Sequence, residues 1–232
     1  LSTRFKETSG ALKLSDEQAE KFQYYASMTQ KVNGQEKGFM TDRLQVTINT
    51  AKKIEDATGM SGALKTITEE IAAASATTQL QFGRLPGHLE LAAIKAKRLG
   101  LSIEEMASSG KQMLDIESSI GNELEYQLLS GRRLTDDHGQ SLTNLYREAT
   151  LRGDMNAQAD IMNRILETEG ETLENNMLAR EQMSKLLGID EAKISRALQK
   201  QKILLAAGDA GAKLMGLQGD KLINAATQLQ RS

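Results

Sequence analysis

A chain of 232 residues with 29 basic and 31 acidic side chains has a formal charge of only −2, which gives no general electrostatic reason to bind nucleic acid or acidic membranes. Cysteine is absent, which excludes disulfides and thiolate metal sites, and aromatic residues are only 3% of the chain, which argues against a large globular core. A single proline among many helix-favouring residues predicts an all-α protein.

The N-terminal segment, residues 1–34, is predicted to be a loose lead-in followed by a helix. Ser15 precedes two acidic residues, which is the pattern of an N-cap with favourable charge in the first turn. The helix is expected to run to Val32 and to end at Asn33-Gly34. Because the first residue is Leu1 rather than methionine, we expect the chain to be a piece of a longer or processed protein.

Residues 35–83 carry a narrow apolar stripe with four–three spacing, interrupted near Gly59 and Gly62. A narrow stripe surrounded by polar residues is typical of a coiled-coil seam, whereas a helix on a globular core usually has a wider apolar face. We therefore predict an elongated coiled-coil-like stem through which copies of the chain associate; a surface helix of an ordinary bundle is the alternative. The predicted oligomer seam consists of Leu44, Ile48, Ala51, Leu64, Ile67, Ile71 and Ala74.

The stem is predicted to end at Arg84–Gly87, because Pro86 cannot continue a helix but fits the first turn of a new one. Residues 84–207 then predict a compact bundle of five to seven short amphipathic helices joined by short connections. The expected helix ends are Gly100, Gly110, Gly131, Gly153, Gly170 and Gly188. Residues 208–232 have a sparser apolar pattern and predict a weakly helical tail.

Several local patterns refine the bundle. Ser102 and Glu105 have the spacing of a capping box, and either Asp136 or Asp137 is expected to begin a helix. One helix is expected to carry an apolar stripe made of Met113, Ile116, Ile120, Leu124 and Leu128. Two similar corners join helix ends to helix starts: Leu99-Gly100-Leu101-Ser102 and Leu187-Gly188-Ile189-Asp190.

Residues for catalysis or metal binding are scarce. His138 follows two aspartates, but adjacent residues do not converge on one helix face and no second spaced ligand set exists. The chain has no cysteine, no Gly-x-Ser-x-Gly elbow and no glycine-rich phosphate motif. No apolar run approaches the ~18 residues that span a bilayer. We expect a protein that is not an enzyme, with no cofactor, no metal and no stable membrane span.

The second corner has the spacing of a DNA-binding helix-turn-helix, with Lys193, Arg196 and Lys200 as candidate DNA contacts. Glu191 opposes this interpretation because it lies early in the second helix, where it would repel phosphate. The similar first corner is followed by Glu104 and Glu105, so a repeated structural corner explains both. We expect no specific nucleic-acid binding, and DNA binding remains the less favoured alternative.

The order of motifs in residues 95–198 resembles a helical module of tail tape measure proteins of tailed bacteriophages. The resemblance rests on apolar and glycine spacing over a little under half of the chain. Its motifs are Lys-Arg-Leu-Gly-Leu-Ser-Ile-Glu-Glu-Met (97–106), the stripe of residues 113–125, Leu128-Leu-Ser-Gly-Arg-Arg-Leu, Arg152-Gly-Asp and Met183-Ser-Lys-Leu-Leu-Gly-Ile-Asp.

The resemblance implies a structural virion protein. A tape measure protein is a largely helical chain that lies in several copies inside the tail tube, sets the tail length and seats on the baseplate hub. It leaves the tube when DNA is ejected. For this chain it implies a segment towards the C-terminal end, association as a trimer or hexamer, and contact with tail tube and hub proteins in the tail lumen or tail tip. A phage internal or ejection protein is the alternative.

Overall fold

The computed structural model describes residues 39–58, 62–83 and 87–207, together with Glu20 and Tyr24 as single helical positions. The expected helix of residues 15–32, the proline break at 84–86 and the tail of 208–232 lie outside these ranges. The described ranges form ten α-helices: α1 (Phe39–Thr58), α2 (Ala63–Ala73), α3 (Ala76–Phe82), α4 (His88–Leu99), α5 (Ile103–Leu114), α6 (Ile116–Ser130), α7 (Leu142–Arg152), α8 (Met155–Asn175), α9 (Met177–Leu187) and α10 (Glu191–Ala207). The predicted all-α class is confirmed.

Two helices lie at the centre of the packing. The 21-residue α8 packs against α4, α5, α7, α9 and α10, and α4 packs against α1, α2, α3, α5, α8 and α10. Small residues of α4, including Ala92, Ala93 and Ala96, are fully buried. Because alanine side chains are short, they let neighbouring helices approach α4 closely from several directions. A single cluster of buried apolar residues therefore extends from α1 to α10.

The local helix signals act as expected. Ser102 Oγ accepts the backbone N–H of Glu105 at 3.2 Å, and Glu105 Oε2 accepts the backbone N–H of Ser102 at 2.9 Å, which completes the capping box. Gly100 and Gly188 end their helices with positive φ angles of 77° and 63°, which glycine adopts without steric cost. Both predicted corners are therefore present.

The two corners also lie beside each other. Leu99 and Leu101 of the first corner share a cavity of about 10 Å³ with Leu187 and Ile189 of the second. The helices that follow the corners are joined by an ion pair between Lys193 and Glu105. The repeated sequence pattern thus builds two adjacent corners of one core.

An elongated coiled-coil stem in residues 35–83 is not confirmed. The described part of this segment is broken into three helices, at Gly62 with its positive φ of 80° and at Ser75, whose hydroxyl caps α3. The breaks turn the chain, so α1 and α2 both pack against α4. Ile67 and Ile71 have no exposed surface and belong to the same buried cluster as the helices of the bundle.

Three expected helix boundaries differ in the structure. Helix α5 continues through Gly110 to Leu114, and α8 continues through Gly170 to Asn175, because tertiary packing at both glycines keeps the helix intact. The third boundary is the start of α7, which begins after Ser141 rather than at Asp136 or Asp137. Residues 131–141 instead form a loop closed by an antiparallel bridge between Thr135 and Ser141.

Two helical glycines predict opposite effects of the same substitution. A Cβ atom at Gly110 would lie 2.9 Å from Thr150 Cγ2, whereas a Cβ at Gly121 would meet no atom within 4 Å. Gly110→Ala is expected to lower the free energy of unfolding by about 1–3 kcal/mol through overpacking. Gly121→Ala is expected to raise it by about 0.5–1 kcal/mol through better helix propensity. Urea unfolding of the two variants measures both effects, and equal effects would contradict the described packing at Gly110.

Candidate protein interaction surface

The described residues contain no group of three or more His, Cys, Asp or Glu side chains placed to hold a metal ion. One shallow cavity of about 50 Å³ lies between α4 and α8, far below the roughly 300–1,000 Å³ of small-molecule sites. Its lining residues Lys95 and Asp160 form an ion pair of 2.6 Å with each other. This cavity is therefore too small for a typical small-molecule ligand.

The Asp136-Asp137-His138 cluster organises a loop. Asp136 Oδ1 accepts the backbone N–H groups of His138 at 2.9 Å and of Gln140 at 2.8 Å. The bond from Gln140, followed by the one from His138, holds the pKa of Asp136 below its ordinary value. The expectation that Asp136 or Asp137 begins a helix is wrong, because the Asp136 carboxylate stabilises the turn that precedes Ser141, and the helix begins after Ser141.

The three candidate DNA contacts do not form one basic surface. Lys193 pairs with Glu105, and Lys200 Nζ donates to the carbonyl oxygen of Lys97 at 3.3 Å, at the last turn of α4. Burial lowers the pKa of Lys200. Arg196 is exposed. Two of the three cations therefore hold helices of this chain together instead of facing a groove.

The predicted seam residues mostly face the core of this chain. Ala51, Ile67, Ile71 and Ala74 are buried in the common cluster, Leu64 packs against that cluster, Ile48 is half-buried, and Leu44 lies in α1. Association of copies through this seam would require the contacts of α1 and α2 with α4 to open. Trimer or hexamer formation through the seam stays a prediction.

Helix α6 turns a polar face towards the rest of the protein. Tyr126 is fully buried, and its hydroxyl donates to Glu169 Oε2 at 2.7 Å. Ser119 is also fully buried and donates to the carbonyl oxygen of Met113 at 3.1 Å. Glu123 pairs with Arg147 of α7 at 3.1 Å. Hydrogen bonds and charge, together with the buried ring of Tyr126, thus attach this side of α6.

Tyr126 and Tyr146, which are both fully buried, predict a loss of stability at high pH. Burial raises the pKa of both phenols, and the bond to Glu169 raises that of Tyr126 further. Unfolded tyrosine ionises near pH 10, so above about pH 10 the unfolded chain releases protons that the folded chain keeps, and stability falls as pH rises. Urea midpoints between pH 8 and 11 measure this fall. Tyr126→Phe with Tyr146→Phe should make the pH dependence shallower, and an unchanged dependence would contradict the assignment.

The opposite face of α6 carries an exposed apolar ridge. Its four residues follow one another at intervals of four, and their exposed fractions are 51% for Ile116, 45% for Ile120, 56% for Leu124 and 84% for Leu128. Together they extend over about 18 Å along the helix, at a rise of 1.5 Å per residue. Single exposed aliphatic residues are common, but four of them in one row along a helix make a candidate interaction site. We call these four residues the α6 ridge.

The helix that carries the α6 ridge is attached to α9 by hydrogen bonds. Helices α6 and α9 run antiparallel and are joined by three hydrogen bonds. Asn122 donates to the carbonyl oxygen of Lys185, and Gln182 donates to Glu125. Asn176 donates to the carbonyl oxygen of Leu129. Near the last of these contacts, Leu129, Met177 and Leu178 are exposed as well. The apolar surface therefore continues from the C-terminal end of α6 to the start of α9.

The sequence pattern located the stripe but not its orientation. The expected stripe of one helix is divided in the structure, because Met113 is buried at the end of α5 while the other four residues face outwards on α6. The orientation of α6 is indicated by a second set of residues that the prediction did not use. Ser119, Glu123 and Tyr126 are polar and share the other side of the helix, at four- and three-residue spacing.

Comparisons of this chain with protein-family models, with curated proteins and with solved structures find no match. In the part of the chain that the structure describes, no helix combines the length and the apolar character needed to cross a membrane. The resemblance of residues 95–198 to phage tape measure proteins thus stays a prediction, and the candidate site is the α6 ridge.

Proposed function

We propose that this chain is a structural virion protein: a segment of a phage tail tape measure protein that docks by helix–helix association in the tail lumen or at the baseplate hub. The observation that carries the proposal is the α6 ridge, an outward row of aliphatic residues on a helix whose inner face is polar. The ridge lies within residues 95–198, the stretch that resembles tape measure sequences.

The ridge can supply useful binding energy. Full burial of one leucine or isoleucine side chain contributes ~1.5–3 kcal/mol, so covering four side chains that are about half exposed contributes on the order of 3–6 kcal/mol. Such a gain supports a reversible attachment that becomes firm only when several copies bind together. An attachment of this kind suits a protein that must seat during assembly and leave during DNA ejection.

The described helices fit docking better than length measurement. A continuous helical rod converts chain length to physical length at about 1.5 Å per residue, but helices α1–α10 fold back on a common core. We therefore assign the docking step to residues 39–207. Length measurement belongs to extended helical sequence of the same tape measure protein.

The proposal is tested in particles of the phage whose genome encodes the chain. Mass spectrometry of purified particles and labelling with an antibody against residues 87–207 should find the chain in tails, at the tip. Leu124→Glu should reduce the yield of complete tails by at least ten-fold. The matched control is Leu151→Glu, which changes another exposed leucine on α7 (74% exposed) and should assemble normally.

Two outcomes would contradict the tape measure role. The first is the absence of the chain from purified particles, and the second is normal tail assembly with Leu124→Glu. If the chain is packaged and delivered to the infected cell while tail length is unaffected by deletions in its gene, an internal ejection protein replaces the proposal.

A further inference from the structure

The spacing of the α6 ridge specifies how a partner helix must cross it. Ile116, Ile120, Leu124 and Leu128 form one i±4n row, without the alternating three–four steps of a coiled-coil seam. Two helices that interdigitate such rows cross at about −50°, whereas a coiled coil needs the combination of i±3n and i±4n rows. The ridge is therefore suited to a short crossing contact rather than to a long parallel rod.

The charge beside the ridge is acidic. Helix α6 contains Glu117, Glu123 and Glu125 and no lysine or arginine. Glu117 and Glu125 are exposed on one flank of the ridge, and Glu125 also accepts a hydrogen bond from Gln182 of α9. Glu123 lies on the other flank and is engaged with Arg147. A helix that covers the ridge meets Glu117 and Glu125 along one of its margins.

A second copy of the chain is a poor occupant of the ridge. In a two-fold symmetric, antiparallel pair of copies that cross at the middle of the ridge, the flank that carries Glu117 and Glu125 on one copy faces the same flank of the other. Like charges at such positions repel, whereas opposite charges at interface margins favour association and choose the partner. Self-pairing through this face is thus opposed by its own carboxylates.

We propose that the α6 ridge binds an amphipathic helix of a different protein, one that carries lysine or arginine beside an apolar i±4n row, on the side that meets Glu117 and Glu125, and crosses α6 at about −50°. The inference rests on the proposed docking function and names the class of partner: a basic amphipathic helix whose apolar row interdigitates with the ridge. The ridge supplies affinity, and Glu117 with Glu125 supplies selectivity for positive charge.

The test uses the full chain and two synthetic helical peptides of 18 residues, labelled with a fluorophore. Both peptides carry leucine at intervals of four; one has lysine at the flanking positions and the other has glutamate. Fluorescence anisotropy should show that the lysine peptide binds at least ten-fold more tightly than the glutamate peptide. Added salt should weaken the binding of the lysine peptide. The variant with Glu117→Lys and Glu125→Lys should reverse the preference, and Leu124→Glu should weaken both peptides while Leu151→Glu changes neither.

The control for folding is helicity and thermal midpoint. Glu117→Lys, Leu124→Glu and Leu151→Glu should leave both nearly unchanged, whereas Glu125→Lys should lower the thermal midpoint slightly because it removes the bond from Gln182. Equal binding of the two peptides would overturn the charge preference and leave the docking function standing. No binding of either peptide, or dimerisation of the wild-type chain that Leu124→Glu abolishes, would overturn the inference. Absence of the chain from phage tails would instead refute the virion role without touching the peptide result.

Discussion

Arg147→Met is expected to lower the free energy of unfolding by about 3–5 kcal/mol, the range found when one partner of a buried ion pair is removed. The guanidinium lies 3.1 Å from Glu123 Oε2 and donates to Ser119 Oγ at 3.1 Å. It also donates to the carbonyl oxygen of Met113 at 3.2 Å and to Asn144 Oδ1 at 2.8 Å. The substitution leaves all four acceptors without this donor. The hydrogen bonds through which Arg147 connects α5, α6 and α7 are then lost.

Equilibrium urea unfolding measures the effect of Arg147→Met, with Arg152→Met as its control. Arg152 lies on the same helix and pairs with Glu148, but both side chains are more than half exposed, so its loss should change stability by less than about 0.5 kcal/mol. Glu123→Gln combined with Arg147→Met should cost less than the sum of the single changes, because they share one interaction. A loss below about 1 kcal/mol for Arg147→Met would show that α6 is held by other contacts.

Ile71→Ala is expected to lower the free energy of unfolding by about 2–5 kcal/mol, as large-to-small changes in a packed core do. Ile71 has no exposed surface and belongs to the cluster that includes α4 and α8. Because this burial occurs within one chain, the loss should be the same at every protein concentration. A seam between copies would instead make the unfolding midpoint rise with concentration.

Thermal and urea unfolding of Ile71→Ala over a hundred-fold range of concentration distinguishes these cases. Lys65→Ala on the same helix is the matched control, because the Lys65 side chain is 60% exposed and its pair with Glu69 is long, at 3.7 Å. It should change stability by less than about 0.5 kcal/mol. A concentration-dependent midpoint would restore the coiled-coil stem predicted for residues 35–83.

Local sequence signals predicted the parts of the fold that depend on a few neighbouring residues. The capping box of Ser102 and Glu105 and the corners at Gly100 and Gly188 follow from hydrogen bonds and backbone angles within one turn. The boundaries at Gly110 and Gly170 failed for the complementary reason. Their helices continue because distant side chains, Thr150 and Leu198, pack against the glycines.

The direction of an amphipathic face could not be predicted in the same way. Periodicity shows that Ile67 and Ile71 share a face, and that Ile120 and Leu124 share another, but it assigns no partner to either. The first face covers the core of its own chain, while the second is displaced outwards because Tyr126 reaches the buried carboxylate of Glu169. That choice depends on residues 43 positions apart, which no local pattern encodes.

Photocrosslinking from the α6 ridge in assembled phage particles tests the docking function most directly. Leu124 is replaced by benzoylphenylalanine, with the same replacement at Leu151 as the reference position. We predict crosslinks from position 124 to a different virion protein, within a segment that carries lysine or arginine beside apolar residues, and a much lower yield from position 151. Crosslinks from position 124 mainly to another copy of this chain, or equal yields from both positions, would contradict the account.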